Sequence, residues 1–395
     1  MTIQSKLPNV GTTIFTTMSA LAQEHGAINL SQGFPNFDCP EKLKRLVTQY
    51  MKKGMNQYAP MAGVLALREQ VAYKIEKLYH CRVNPQTEIT ITAGGTQALF
   101  TAIMAFVKQG DEVILIEPAY DSYAPTVELC GGIVVPYRLV PPSKKTPPDG
   151  LGTGQYSIDW EAFRKLVSPK TRMIIINTPH NPTGKTLKDS DLRELDKITE
   201  GGNMLVLSDE VYEHLIFDEQ QHQSVLRYPS LFNHSIAAFS YGKTFHATGW
   251  KMGYVVAPDY LMQEFRKVHQ FNVFSVNTPV QYAIADFLKD ENTYLSLPNF
   301  YQQKRDYFLK LMQGSRFKAI KSEGTYFQLF DYEAISDEKD VDFVKRMTLE
   351  FGVAAIPVSV FYSNTEGGAE RQFIRLCFAK TEDLLEKAAE KLCEM

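Results

Sequence analysis

Residues 88–118 read EITITAGGTQALFTAIMAFVKQGDEVILIEP, and the fold is inferred outward from this stretch. It begins with the β-branched run EITITA (88–93) and ends with the apolar run EVILIEP (112–118). Between them, the apolar residues of TQALFTAIMAFVKQG recur at helical spacing. A strand, a helix and another strand in succession predict two strands of one sheet joined by a crossover helix.

Further short strands are predicted along the chain by the same apolar character. They are GIVVPYRL (132–139), RMIIINTP (172–179), MLVLSDE (204–210), SIAAFS (235–240) and GYVVAP (253–258). Runs that are apolar on both faces and separated by helical segments indicate a mainly parallel sheet that helices cover on both sides. The predicted class is therefore α/β, with a large domain over residues 45–290.

Beyond about residue 290 the pattern changes to short strands interleaved with helices. The strands are GTYFQLFDY and RQFIRLCFA, and helices are expected around 299–313, 340–351 and 381–393. This mixture is typical of a smaller α+β domain, to which we assign residues 291–395. The segment 1–44 is too irregular to fold alone, so we expect it to pack on this smaller domain.

The composition excludes several classes of protein. A net charge of −3 gives no reason to expect nucleic acid or an anionic membrane as a partner. The five cysteines are dispersed without a Cys-x-x-Cys pair, which argues against a disulfide framework or a metal site and suits a reducing cytoplasm. The N-terminal segment lacks the apolar core of a signal peptide, and no apolar run approaches the roughly 18 residues of a membrane helix. We therefore expect a soluble cytoplasmic protein.

The stretch SYGKTFHATGWKMGY (240–254) poses a choice, because a strand followed by Gly-Lys-Thr resembles the end of a nucleotide-binding P-loop. A P-loop needs glycine five positions before its Gly-Lys pair, but Ala237 stands there, and the second Gly-Lys-Thr (184–186) has Pro179 at that position. The P-loop lysine also opens a helix, whereas the residues after Lys243 return quickly to a strand. Lys243 is therefore not predicted to be a P-loop lysine.

Five polar or glycine-bearing loops follow predicted strands: GGT, EPAYD, NTPHNPTG, SDEVY and SYGKT. We expect them at one edge of the sheet, where open α/β sheets bind ligands. In GGT (94–96), N–H groups at a helix start suit a phosphate, although a tight turn with a threonine N-cap explains the same residues. Asp209 ends an apolar strand, where a buried carboxylate needs a cation or a proton, although an ordinary N-cap is the alternative.

Lys243 connects these loops to one chemistry. A solvated lysine has a pKa of about 10.4 and is almost always protonated at pH 7, but nearby cations such as Lys251 and Arg375 favour the neutral, nucleophilic amine. An amine, a phosphate site, a carboxylate at Asp209 and an aromatic face at Tyr120 together suit pyridoxal 5′-phosphate (PLP). Taken singly, Lys251 and Arg375 are better explained as surface charges and Tyr120 as a core aromatic, while Asp209 is equally explained as an N-cap.

Three long motifs give the chain a family resemblance. NTPHNPTG, SDEVY and SYGKTFHATGWKMG resemble the asparagine, aspartate and Schiff-base lysine motifs of the class I (fold type I) aminotransferases, and the resemblance extends over nearly the whole chain. LSQGFPNFDCP, NQYAPMAGVLALRE, EPAYDSYAP and FIRLCFAK are similar to the subgroup of bacterial methionine aminotransferases and kynurenine aminotransferases (glutamine transaminase K). The resemblance implies the fold of the PLP-dependent transferases, PLP as cofactor, and a homodimer with shared active sites.

The resemblance also implies roles for the matching residues. Lys243 would form the Schiff base with PLP and act as general base, and Asp209 would pair with the ring nitrogen. Tyr212 and Asn181 would hydrogen-bond the ring O3′, while Tyr120 would stack on the ring. The phosphate would be surrounded by Gly95, Thr96, Gln97, Ser240 and Lys251, with Tyr58 of the neighbouring subunit.

For the substrate, the resemblance implies that Arg375 binds the α-carboxylate, helped by Asn181 and the backbone of Gly33. The candidate walls for the side chain are aromatic, namely Phe15, Tyr58, Tyr120 and Phe274, the last supplied across the dimer. Such a pocket suits methionine, phenylalanine, tyrosine or kynurenine better than aspartate. No second arginine stands at a recognisable position for a side-chain carboxylate, with Arg138 and Arg371 left open.

The interpretation favoured by these observations is transfer of an amino group from methionine or an aromatic amino acid to a 2-oxo acid. His180 matches the methionine enzymes and favours methionine, with kynurenine as a side activity. One alternative is a cysteine-S-conjugate β-lyase that uses the same Lys243 and releases pyruvate and ammonia. The other is a non-catalytic relative, against which Lys243, Asp209, Asn181 and Arg375 together argue.

Overall fold

The structure, a computed structural model, describes residues 4–142, 154–363 and 372–395. Its strands in chain order are β1 (Ile28–Asn29), β2 (Ile89–Thr92), β3 (Glu112–Glu117), β4 (Ile133–Arg138), β5 (Thr171–Asn177), β6 (Leu205–Asp209), β7 (Ser235–Ser240), β8 (Gly253–Val256), β9 (Lys318–Ala319), β10 (Phe327–Asp331), β11 (Val353–Ala354), β12 (Ile356–Pro357) and β13 (Phe373–Cys377).

The helices are α1 (Ile14–Glu24), α2 (Glu41–Lys52), α3 (Leu65–Tyr79), α4 (Gly94–Phe106), α5 (Tyr123–Leu129), α6 (Trp160–Arg164), α7 (Asp189–Thr199), α8 (Pro229–Phe232), α9 (Tyr241–Thr244), α10 (Asp259–Asn272), α11 (Thr278–Leu288), α12 (Asn292–Leu295), α13 (Leu297–Leu311), α14 (Asp340–Glu350) and α15 (Glu382–Cys393). Short 3-10 turns cover Val225–Arg227, Thr248–Trp250, Met312–Gly314 and Ser359–Phe361.

A seven-stranded sheet in the order β2-β8-β7-β6-β5-β3-β4 forms the centre of the molecule. The strands from β7 to β4 run parallel to their neighbours, which confirms the predicted mainly parallel sheet. Strand β8 is the exception, because it pairs antiparallel with both β2 and β7. The chain reaches it from β7 through a short connection that contains no crossover helix of the kind a parallel neighbour needs.

Both faces of this sheet are buried, as the apolar runs predict. Along β3, Val113 and Leu115 belong to one hydrophobic cluster, while Ile114 and Ile116 belong to another. Because successive side chains of a strand point to opposite faces, the two clusters lie on opposite sides of the sheet. No helix among the described residues is long and apolar enough to cross a bilayer.

A second, antiparallel sheet is formed by the C-terminal part of the chain, in the order β12-β13-β10-β9. The N-terminal segment reaches this region, since β1 pairs with β11 and α1 packs against α14. The helices α13, α14 and α15 correspond to the three helical stretches expected there. The division of the chain into residues 45–290 and residues 1–44 with 291–395 stays a prediction.

A buried charged cluster joins the turn after β6 to helix α3 and strand β8. The carboxylate of Glu213 accepts hydrogen bonds from Lys74 Nζ (2.5 Å), Tyr79 Oη (2.5 Å) and Tyr254 Oη (3.1 Å). Burial alone would raise the pKa of Glu213, but the charge of Lys74, the neighbouring His214 and the hydrogen bonds from Lys74 and Tyr79 together outweigh it and hold the pKa at about 2. Through these hydrogen bonds the carboxylate holds the turn after β6 against helix α3 and strand β8.

Candidate active site

The loops that follow β2, β3, β5, β6 and β7 converge on one cavity of about 450 Å³ at the carboxyl edge of the central sheet. They contribute Gly95, Tyr120, Asn181, Asp209 and Lys243 to its lining. The opposite wall is built by the segment around residues 13–33 and by the strands β10 and β13. The expectation that the five loops surround a common pocket is therefore met by the geometry.

The start of helix α4 forms one end of the cavity. Gly94 has φ +80°, and a Cβ atom there would lie 3.5 Å from Lys251 Nζ, so this ammonium stands beside the first turn of the helix. A Cβ atom on Gly95 would lie only 2.9 Å from Val211 and 3.8 Å from the Cβ atom of Ser240. The first N–H groups of a helix have no partner within the helix, and together with Lys251 they suit an anion.

Gln97 follows Thr96 in this helix, but its side chain does not line the cavity. Its Oε1 accepts from the N–H of Ala93 (2.9 Å), and its Nε2 donates to Thr101 Oγ1 (2.6 Å). The side chain is therefore used inside the fold, where it caps the backbone just before α4. Any contact of Gln97 with an anion would involve its backbone.

Asp209 ends β6 with its carboxylate buried, at an exposed fraction of 3 %. Its described hydrogen-bond partners are neutral: Tyr123 Oη donates to Oδ2 (2.5 Å), and the N–H of Val211 donates to Oδ1 (3.3 Å). Burial raises the pKa of Asp209 to about 6, although the bond from Tyr123 opposes the rise. A buried carboxylate of this kind is stabilised by a positively charged partner.

Lys243 lies in the one-turn helix α9 after β7, and the chain then returns to a strand at Gly253, as expected. Its Nζ donates to Tyr326 Oη (2.8 Å) and to the carbonyl oxygen of Gly33 (3.1 Å). Burial, assisted by the nearby charge of Arg375, lowers the pKa of Lys243 to about 8. A much larger fraction of this amine is neutral near pH 7 than of a solvated lysine.

Arg375 projects from β13 into the cavity with an exposed fraction of 1 %. One guanidinium nitrogen donates to Asn181 Oδ1 (2.7 Å) and another to the carbonyl oxygen of Ser31 (3.0 Å), while Nε has no partner among the described residues. The guanidinium stacks on the ring of Phe327, 3.8 Å from its centroid. Phe15 lies on another side at 5.2 Å.

The other predicted site residues pack around Asp209, Lys243 and Arg375. Tyr120 lines the cavity and meets Tyr123 edge to face at 5.6 Å. Tyr212 is buried and contacts Tyr326 in the same manner at 5.3 Å. Gly33 has no room for a side chain, because a Cβ atom would approach Phe327 to 2.7 Å.

Two predicted residues lie apart from the cavity of their own chain. Tyr58 and Phe274 are 81 % and 51 % exposed, and their rings meet edge to face at 5.3 Å. Neither lines the cavity, which agrees with their predicted contribution to a neighbouring subunit but does not test it. Of the two arginines left open, Arg138 pairs with Glu117 (3.7 Å) away from the cavity, and Arg371 lies outside the described residues.

Sequence reasoning missed several residues that line or support the cavity, among them Asp121, Asn177, Tyr326 and Phe327. Asn177 holds the loop that carries Asn181, since its Oδ1 accepts from the N–H of Asn181 (2.7 Å) and its Nδ2 donates to the carbonyl oxygen of Asp209 (2.9 Å). Asn177 could have been predicted as a site residue, because it lies at the end of a predicted strand. The sequence around Tyr326 and Phe327 predicts a strand but gives no indication that these residues belong to the site.

Comparison with known proteins places this geometry in a family. The family described as aminotransferase class I and II matches residues 25–392. The methionine aminotransferase of Escherichia coli (strain K12) is 50 % identical over 393 residues, covering 99 % of this chain and 98 % of that protein. The human kynurenine–oxoglutarate transaminase 1 is 34 % identical, covering 94 % and 93 % of the two chains.

A solved structure agrees at the level of the fold. The crystal structure of YbdL from Escherichia coli, identified as having a methionine aminotransferase function, superposes with a TM-score of 0.94 at 49 % identity and covers all of both chains. The predicted fold of the type I PLP-dependent transferases is thereby confirmed, as is the resemblance to the methionine and kynurenine enzymes.

The raised pKa of the buried Asp209 carboxyl predicts how the free energy of unfolding changes with pH. This group ionises near pH 3.8 in the unfolded chain and near pH 6 in the folded one, so the folded state holds the extra proton between these values and loses stability as the pH rises through them. In protein freed of small molecules, Asp209→Asn should therefore raise the free energy of unfolding by about 2–3 kcal/mol above pH 7. At pH 4 the difference should fall below about 1 kcal/mol.

The measurement is denaturant or thermal unfolding of wild type and variant at pH 4 and pH 7.5. Asp189→Asn serves as the control of opposite sign, because Arg193 lowers the pKa of that exposed carboxyl, so the substitution should slightly destabilise the protein at pH 7.5. Equal stability of wild type and Asp209→Asn at both pH values would contradict the assignment of a destabilised carboxylate.

Proposed function

Because the chain belongs to the class I and II aminotransferases, we propose that it is a PLP-dependent enzyme that transfers the amino group of methionine or an aromatic amino acid to a 2-oxo acid. That it is an aminotransferase is shown by the comparisons and agrees with the sequence analysis; the interpretation as a non-catalytic relative is not supported. The observation that carries the proposal is the meeting of Lys243, Asp209 and Arg375 in one cavity.

The residues of the cavity fit the chemical groups of PLP. The N-terminus of α4, with Gly95 and Thr96, would hold the phosphate together with Ser240 and Lys251. Asp209 would pair with the protonated ring nitrogen, and this cation would relieve the cost of its buried charge. Tyr120 would stack on the ring, and the ring hydroxyl would be met by Asn181 and Tyr212.

Lys243 would hold the cofactor covalently at its aldehyde carbon. When bound, PLP would supply the electron sink that accepts the electron pair of the broken Cα–H bond of the substrate. Asp209 would place negative charge beside the ring nitrogen and so favour its protonated form. Once the substrate amine had displaced it, Lys243 Nζ would take the proton from Cα and deliver it to the former aldehyde carbon of the cofactor, which a pKa of about 8 suits near neutral pH.

Arg375 would orient the substrate for this proton transfer. Its guanidinium is held by Asn181 and Ser31 and stacked on Phe327, so its position is set before a carboxylate arrives. A planar guanidinium binds a carboxylate at two points, which fixes the direction of the Cα–H bond.

The preference for an apolar side chain is supported by the walls around Arg375. Phe15 and Phe327 face its guanidinium, and the cations that line the cavity among the described residues (Lys243, Lys251 and Arg375) are all used by the reaction proposed above. The methionine aminotransferase of Escherichia coli is half identical to this chain. We therefore place methionine first among the donors, with aromatic amino acids and kynurenine behind it.

Lys243→Ala is expected to abolish transamination, with a loss of at least about a thousandfold in kcat, because it removes the base and the covalent attachment. In the wild type, borohydride reduction should remove the visible absorption band of the bound cofactor and leave a covalent label on Lys243, identified by peptide mass. Lys251→Ala, the second lysine of the cavity, should weaken cofactor binding and leave the label on Lys243. Near-normal turnover by Lys243→Ala would refute the proposed role.

A panel of amino donors, each with several 2-oxo acids, tests the substrate. We expect kcat/KM for methionine and the aromatic amino acids to exceed that for aspartate by about a hundredfold or more, because a side-chain carboxylate would be desolvated without a partner. Preference for aspartate or glutamate would contradict the proposal. Release of pyruvate and ammonia from a cysteine S-conjugate, without amino transfer, would instead support the β-lyase alternative.

We further propose a homodimer in which each subunit lends Tyr58 and Phe274 to the active site of the other. The exposed aromatic pair of these residues supports it, since large exposed aromatic side chains are typical of interfaces. Sedimentation should give twice the chain mass of 44.8 kDa.

Sharing of the active sites can be tested by complementation. Lys243→Ala and Tyr58→Ala dimers should each be nearly inactive, but unfolding and refolding them together should restore about a quarter of the wild-type activity. Mixed dimers contain one site with both residues intact, whereas sites built within one chain would show no recovery.

A cytoplasmic location is also proposed. The five cysteines are all free in the structure, which suits a reducing compartment. Fractionation of the source cells would test it, and recovery from an oxidising compartment would contradict it.

A further inference from the structure

The hydroxyl group of Tyr326 lies between Lys243 and the backbone of Gly33. Lys243 Nζ donates to Tyr326 Oη at 2.8 Å, and Tyr326 Oη itself donates to the carbonyl oxygen of Gly33. Lys243 Nζ also reaches that carbonyl at 3.1 Å. The three polar atoms thus form a closed triangle on the side of the cavity away from the central sheet.

The direction of these bonds is set by the carbonyl group. A carbonyl oxygen can only accept, so the hydroxyl hydrogen of Tyr326 is committed to Gly33, and the lone pairs of its oxygen remain for an N–H group of Lys243. Tyr326 is therefore an acceptor toward the lysine. Its hydroxyl stabilises the charged ammonium more than the neutral amine.

The ring of Tyr326 is held in place on several sides. It meets Phe327 at 4.9 Å, Tyr212 at 5.3 Å and Tyr301 at 5.9 Å between ring centroids, and the residue is fully buried. The hydroxyl therefore cannot follow Nζ as the flexible lysine side chain moves. It marks a fixed position for the amine.

The reaction creates a need for such an acceptor. When Lys243 takes a proton from the substrate, an ammonium forms in a buried cavity that already contains the positive charges of Arg375 and Lys251. The carboxylate that faces it is that of Asp209, which would be paired with the cofactor. Two neutral oxygen acceptors at hydrogen-bond distance compensate for this unfavourable setting.

We propose that Tyr326 is a further catalytic residue, whose hydroxyl holds the free amine of Lys243 in position and stabilises the ammonium formed when that amine takes the Cα proton. This inference rests on the proposed transamination. In the step concerned, the Cα–H bond breaks, the proton passes to Nζ, and the electron pair goes to the sink already described. Tyr326 itself neither gains nor loses a proton.

Tyr326→Phe removes the hydroxyl and keeps the ring. With methionine as donor we expect kcat to fall about tenfold or more while KM changes less than about twofold, because the substrate contacts at Arg375 are unaltered. The kinetic isotope effect with methionine deuterated at Cα should rise, since proton transfer becomes slower relative to the other steps. A merely structural loss would lower kcat without raising the isotope effect.

A second readout does not depend on turnover. In cofactor-free protein, the pKa of Lys243 can be followed through the pH dependence of its labelling by an amine-specific reagent. Loss of an acceptor should lower this pKa in Tyr326→Phe, so that labelling begins at lower pH than in the wild type. The groups facing Lys243, namely Arg375, Lys251, Asp209, Cys377 and Tyr212, are the same in both proteins.

Tyr301→Phe is the matched control. Its ring contacts that of Tyr326, but its hydroxyl bonds to His246 Nδ1 (2.9 Å) and not to Lys243, so all readouts should stay at the wild-type level. An unchanged isotope effect together with an unchanged Lys243 pKa in Tyr326→Phe would overturn the proposal. If the wild type fails to transaminate any donor, the proposed function fails, while the labelling experiment still decides whether Tyr326 controls Lys243.

Discussion

Burial of the Asp209 carboxylate at the end of β6 is the constraint around which the cavity is organised. Strand β6 lies in the middle of the sheet, so its last residue is shielded from water on both sides, and burial raises the pKa of the carboxyl group. Lys243 and Arg375 are shifted in the opposite direction by the same desolvation. Burial therefore disfavours the charged form of each group, and ligand groups of opposite charge beside each of them would stabilise it.

Much of this arrangement could be predicted from the sequence, because two strong physical signals are local. Apolar runs without a polar face indicate strands buried on both sides, and parallel strands must end at a common edge. The polar residues just beyond such strands, Asp209 and Lys243 among them, are thereby brought together without knowledge of any contact. Arg375 was recognised through its motif, since a buried arginine on a strand of another sheet has no local signal of its own.

Other features depend on tertiary contacts and could not be read from neighbouring residues. Tyr326 looks like any strand aromatic until the fold brings its hydroxyl to Lys243 from the other sheet. Gln97 stands in the right helix turn for an anion, yet its side chain serves the backbone of Ala93. Strand β8 runs antiparallel to β7 because the connection between them is short. An apolar run predicts a strand but not the direction in which it runs.

The cluster of Lys74, Tyr79 and Tyr254 around Glu213 has a consequence for how related sequences should be compared. These side chains do not line the cavity, yet they hold the turn that carries Tyr212 and follows Asp209. Two chains with identical cavity residues can therefore differ in how firmly that wall is supported. When the activity of one relative is assigned to another, positions 74, 79, 213 and 254 should therefore be compared as well. Their side chains support the cavity wall without lining the cavity.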